Sequence, residues 1–193
     1  MKSFIFTFAR PYLDWIDSGH LFRKPFAWLY TLYAVIFILI PIFSLIGAIA
    51  GSIFDMPAKT IVGFLLIWLV ICLASWICFQ IWWDRRQKVL GTSSEGDDFV
   101  ATPVFSHYIQ TLGETIGTWI AIVGFFGSLV SAILLGSDAQ YIAYKLGLNF
   151  GGFGLASMII SPIIGFLIIV FTRFLAEQAR ALSSIANNTS KTN

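Results

Sequence analysis

Residues 60–88 read TIVGFLLIWLVICLASWICFQIWWDRRQK. Positions 60–83 carry no charge, and Asp84, Arg85, Arg86 and Lys88 then follow within a few residues. A helix rises about 1.5 Å per residue, so about 20 apolar residues cross the roughly 30 Å of hydrocarbon in a bilayer. The stretch therefore reads as a transmembrane helix whose end is marked twice. Trp82 and Trp83 suit the headgroup layer, and the basic cluster beyond them suits the cytoplasmic side.

Working outward, three more segments pass the same test: 26–50, 115–136 and 155–176, charge-free except for Arg173 near the end of the last. Each is long enough to cross, so four crossings are favoured over a re-entrant hairpin. The fold class that follows is all-α: a polytopic membrane protein with four transmembrane helices plus short interfacial helices, forming a single membrane domain over 1–193. Composition agrees. The chain is 58% hydrophobic and 11% charged, with a mean hydropathy of +0.83, against about 25% charged residues in soluble domains.

Orientation comes from the placement of Lys and Arg. Lys2, Arg10, Arg23 and Lys24 lie in 1–25, Arg85, Arg86 and Lys88 in the 84–114 loop, and Arg173, Arg180 and Lys191 at the fourth helix end and in the 177–193 tail. The other two connections hold only Lys59 and Lys145. Basic residues are retained inside, which places both termini and the central loop in the cytoplasm of an inner-membrane protein. The start, MKSFIFTFARPYLDW, has one lysine and a short apolar run broken by Arg10 and Pro11, so no cleavable signal is expected.

Membrane helices pack through small residues. The third span carries Gly117, Ala121, Gly124 and Ser128, continuing to Ser131 or Ala132; the fourth carries Ser157, Ser161 and Gly165; the first ends with Gly47 and Gly51. These three faces are expected to meet. The second span, with Trp68, Leu69, Trp76, Ile77 and Phe79, is expected to face lipid or a partner. Pro41 and Pro162 fall in the outer half of their spans and are read as helix kinks that improve packing. A broken-helix transport site would call for an intramembrane carboxylate, and the spans offer only Ser, Thr, Gln80 and Cys.

Outside the spans, PYLDWIDS at 11–18 places Tyr12, Trp15 and Ile16 on one face, an interfacial helix. GTSSEGDD at 91–98 is an acidic linker. After it, Thr102 and Pro103 start an amphipathic segment through Val104, Phe105, Tyr108, Ile109 and Leu112 that is expected to turn into the third span near Gly113. On the outer side, 136–154 suggests a short helix through Tyr141 and Tyr144 and then a glycine-rich lip, GLNFGGFG. A phosphate-loop reading of that lip lacks the preceding strand and the Lys-Ser/Thr. In the tail, Arg173 and Glu177 are four apart and Glu177 and Arg180 three apart, a charged face that is the favoured partner contact.

The ending ISPIIGFLIIVFTRFLAEQARALSSIANNT, residues 160–189, is similar to the ends of small bacterial inner-membrane proteins. The resemblance implies a bacterial source and no residue role.

Several functions are argued against. Cys72 and Cys78 are separated by about 600° of helical rotation, against a disulfide or shared metal. His107 and His20 read as surface histidines, since no Cys, His or carboxylate is spaced to join them. No catalytic residue, cofactor or metal site is expected, and a net charge of +2 gives no reason for nucleic-acid binding. The expectation is a non-enzymatic subunit that anchors or scaffolds a larger membrane complex, its partners being the bilayer and other membrane subunits or copies of itself. The alternative is a small homo-oligomeric channel or transporter lined by the Gly/Ser faces of helices three and four.

Overall fold

The computed structural model describes residues 10, 11, 20–91, 101–136, 139, 144 and 155–190. Every regular element among them is helical. Helix α1 spans His20–Ala50, α2 Ala58–Leu90, α3 Ala101–Val130 and α4 Leu155–Ser190; a 3-10 turn at Ile53–Asp55 links α1 to α2, and α3 ends in a single π-helical stretch, Ser131–Leu135. All four helices are long and apolar enough to cross a membrane.

Local chemistry explains the breaks. At the end of α1, Gly51 N–H donates to Gly47 O (2.9 Å) and Ser52 takes the left-handed conformation, φ 55°, a position glycine usually fills. Pro57 then caps α2, having no N–H to leave unpaired, and its carbonyl accepts from Thr60 N–H at 2.8 Å. Gly91 closes α2. Pro25 and Pro41 lie inside α1 and Pro162 inside α4, all within continuous helix. The Pro41 carbonyl accepts two side-chain bonds, from Ser44 Oγ at 2.8 Å and from Trp68 Nε1 of α2 at 2.9 Å.

The helices overshoot their expected limits. Helix α1 starts at His20 rather than 26, α2 runs on to Leu90 so that the basic cluster is helical, and α3 starts at Ala101. At about 1.5 Å per residue, the 36 residues of α4 extend well past a 30 Å core. The expected turn near Gly113 is absent: residues 101–130 form one helix. The face buried against neighbouring helices is Val104, Ser106, Gln110, Thr111 and Gly113, whereas of the expected apolar side Phe105 is exposed and Tyr108, Ile109 and Leu112 are partly covered. The expected interfacial helix at 11–18 falls mostly outside the described residues, as do the acidic linker past Gly91 and the glycine-rich lip.

The helix backbones pack in chain order, α1 on α2, α2 on α3 and α3 on α4, with the α3/α4 seam the most extensive, while α1 reaches α3 mainly through long side chains such as Tyr30 and Tyr33. The expected meeting of the first helix with the fourth is therefore corrected, and its meeting with the third is made by aromatic side chains. The second helix is covered on one face and open on the other, where Leu69 and Trp76 of the expected outward set are exposed. Of the apolar windows, 39% of α2 is buried, against 28% in α3, 11% in α1 and 6% in α4. One face of α2 fills the spaces between helices, while Leu69, Leu73, Trp76 and Trp83 on the other face are exposed. Phe64, Ile67, Ile71 and Ala74 join Ala48, Ile53, Val123 and Leu135 in one core, and Trp82 and Val89 join Tyr30, Ala34 and Val104 in a second at the opposite end.

Candidate functional site

The polar side chains that meet across helices gather at the second core's end. Glu114 lies at the start of the apolar part of α3 and Arg85 just beyond that of α2, so antiparallel packing sets them level. Arg85 Nη2 donates to Glu114 Oε1 at 3.0 Å, both side chains being largely covered. Gln110, one turn earlier on α3, donates its Nε2 to the same oxygen at 2.8 Å. Its Oε1 accepts from Arg180 Nη1 of α4 at 2.9 Å, and the same nitrogen lies 3.4 Å from His107 Nδ1. A continuous belt thus ties α2 to α4 across α3. His107 precedes the apolar part of α3, and burial first, then the charge of Arg180, holds its imidazole below the ordinary pKa, favouring the neutral ring.

Beside the belt stands an aromatic cluster. Trp82 stacks on Tyr33 (4.6 Å between centroids) and meets Tyr30 edge-on (4.8 Å). Tyr30 Oη and Thr111 Oγ1 share a bond of 3.1 Å, and Tyr33 and Tyr108 hydroxyls lie 3.4 Å apart. Trp82 Nε1 and Arg86 Nε are buried without a hydrogen-bond partner, and the Arg86 guanidinium sits 5.6 Å over the Trp83 ring.

The small residues form a second region, the α3/α4 seam. A Cβ on Gly117 would overlap the carbonyl oxygen of Gly165; one on Gly165 would overlap that of Gly117 and lie 2.9 Å from Ala121 Cβ. Gly124 faces Ser161 and Gly113 faces Thr172 in the same manner. A cleft of about 20 Å³ remains, lined by Trp119, Gly124, Ser128, Ser157 and Ser161, room for about one water. The Ser128 and Ser131 hydroxyls are buried without partners. Pro162 adjoins Ser161 on α4.

The tail residues divide. Arg173 and Glu177 pair at 3.1 Å and are more than half exposed. Arg180 turns inward to the belt, while Ala176, Ser183 and Asn187 are buried, so the tail is a packed continuation of α4.

The arrangement clamps helices together. Glu114 Oε1 is occupied by two donors, and His107 is set against a cation where a general base would need a carboxylate. Among the described residues no group of three His, Cys, Asp or Glu could hold a metal. The belt was not anticipated from sequence, although a signal existed: Arg85 and Glu114 abut the same boundary on consecutive helices. No family model matches the chain, and no curated protein or solved structure matches it.

Proposed function

We propose that the chain is a multi-pass protein of a bacterial inner membrane, with both termini cytoplasmic, acting as a non-enzymatic subunit that anchors or scaffolds other membrane proteins. The observation that carries the reading is the row-like packing. Helices α1 and α4 each have one principal neighbour, which leaves Trp28, Phe43 and Ile49 of α1 and Phe166, Phe171 and Phe174 of α4 exposed. Such faces suit lipid and partner subunits alike. The exposed Arg173–Glu177 pair gives the favoured contact its polar part.

The pore alternative has less support within one chain, since the Gly/Ser faces meant to line a path are packed against each other. Purification from native membranes in mild detergent tests the scaffold reading: a reproducible co-purifying membrane protein is the expected result. Saturable ion flux through liposomes holding the purified chain alone, altered by Ser128→Ala or Ser161→Ala, would reverse the preference.

A further inference from the structure

We propose that the belt's Arg180 end is a binding site for a phosphate-bearing anion, the occupant being the headgroup of an anionic phospholipid of the surrounding bilayer. The inference rests on the membrane reading above and is independent of the scaffold role.

Charge balance comes first. Arg180, Arg85 and Lys88 all lie close enough to His107 for their charges to act on it, and among the described residues Glu114 is the carboxylate that does so. Glu114 is already committed to Arg85 and Gln110 through Oε1. The half-buried guanidinium of Arg180 is met by a neutral amide oxygen and a ring nitrogen, and among the described residues the ion pairs are Arg85–Glu114 and Arg173–Glu177. A partly desolvated cation without a carboxylate is costly unless an anion arrives to answer it.

Donor geometry comes second. Both hydrogen bonds of Arg180 leave from Nη1. A guanidinium carries five N–H donors in a planar fork, so the edge formed by Nε and Nη2 is left to grip two oxygens of one phosphate. Position is the third argument. The belt starts at Arg85, two residues past Trp83 at the end of the apolar part of α2, and paired tryptophans at such an end mark the headgroup layer. Basic pockets between helices at that depth are suited to anionic headgroups.

The test uses the full chain in nanodiscs of phosphatidylcholine doped with phosphatidylglycerol, with retained lipid read by native mass spectrometry. Wild type should retain phosphatidylglycerol in preference to phosphatidylcholine, and added salt should weaken the preference. Arg180→Gln should lower it at least about tenfold, the scale of lost charge-assisted bonds. Arg173→Gln, on an exposed pair of the same helix, should leave it unchanged. His107→Glu guards against misfolding: it sets a carboxylate beside Arg180, which should keep the fold, measured by unfolding midpoint, and remove the preference.

A separate arm adds inorganic phosphate to phosphatidylcholine discs. Arg180-dependent binding there, without lipid discrimination, would keep the phosphate site and overturn the lipid as its occupant. Equal retention of both lipids by wild type with no phosphate binding, or equal losses in Arg180→Gln and Arg173→Gln, would overturn the site. Carbonate-resistant membrane association of all variants tests the membrane reading separately.

Discussion

Replacing Gly117 by alanine should destabilise the protein by about 1–3 kcal/mol, the range for adding bulk to a packed interior. The atom in the way is the Gly165 carbonyl oxygen, which belongs to the main chain and has no rotamer to retreat into. Helices α3 and α4 must therefore part, by about 1 Å, before the contact is an ordinary one, and a gap of that size forfeits roughly a quarter to a half of the dispersion attraction across it. The loss spreads, because Gly124 against Ser161 and Gly113 against Thr172 lie on the same seam. Gly63→Ala is the matched control. Its Cβ would meet Leu135, a side chain that can move, so a smaller loss is expected. Gly91→Ala is the neutral control, with φ −89° and the Gln87 carbonyl oxygen 3.7 Å from its added Cβ, and should fall within about 0.5 kcal/mol of wild type.

The assay is denaturant unfolding in one detergent, followed by tryptophan fluorescence. Gly165→Ala should resemble Gly117→Ala, and the double variant should lose less than the sum, since helices already parted for one methyl make room for the next. A Gly117→Ala midpoint equal to that of Gly91→Ala would refute the close backbone approach.

Three further outcomes are expected. Glu114→Ala strips an acceptor from Arg85 and Gln110 and should cost about 1.5–3 kcal/mol, whereas Glu177→Ala, losing an exposed pair, should cost at most about 0.5 kcal/mol; equal losses would remove the belt's structural role. Because His107 titrates below its ordinary value when folded, the unfolded chain takes up the proton first, so stability should be full above about pH 6.5 and decline as the pH falls below it. His107→Gln should flatten that decline, and an unaltered slope would place the titration elsewhere. Reporter fusions after residues 24, 95 and 193 should read cytoplasm and those after 57 and 140 the outside, and an inverted pair would overturn the orientation.

The four long helices were legible because uninterrupted apolar length needs no knowledge of neighbours. Gly117, Gly124, Ser161 and Gly165 could be read as small-residue faces, but spacing along one helix carries no offset between two, so the Gly117–Gly165 approach was out of reach. The amphipathic pattern at 102–112 looks the same whether its apolar side meets lipid or protein. Only the helices beside it decide, and they make 101–130 continuous. Trp68 was grouped with Leu69 and Trp76 as an outward residue; those two are exposed, whereas the Trp68 indole N–H finds the Pro41 carbonyl, and the Trp82 ring, read only as a headgroup marker, packs against Tyr30 and Tyr33. Arg180 was placed on an outward ladder because its spacing from Glu177 allowed it; a neighbouring α3 offering Gln110 took it instead.

The order of the row bears on how the chain can be made. Each of α2, α3 and α4 packs on the helix synthesised before it, so an emerging segment finds a surface already in place, and of these only α3 makes its larger contact with a helix still to be translated, α4. Contacts between successive elements close short loops, which favours rapid assembly. Helix α4, last out, closes the most extensive seam of the molecule: a chain stopped after Leu135 would leave the Gly113, Gly117 and Gly124 face of α3 uncovered and would lack Arg180 at the end of the belt.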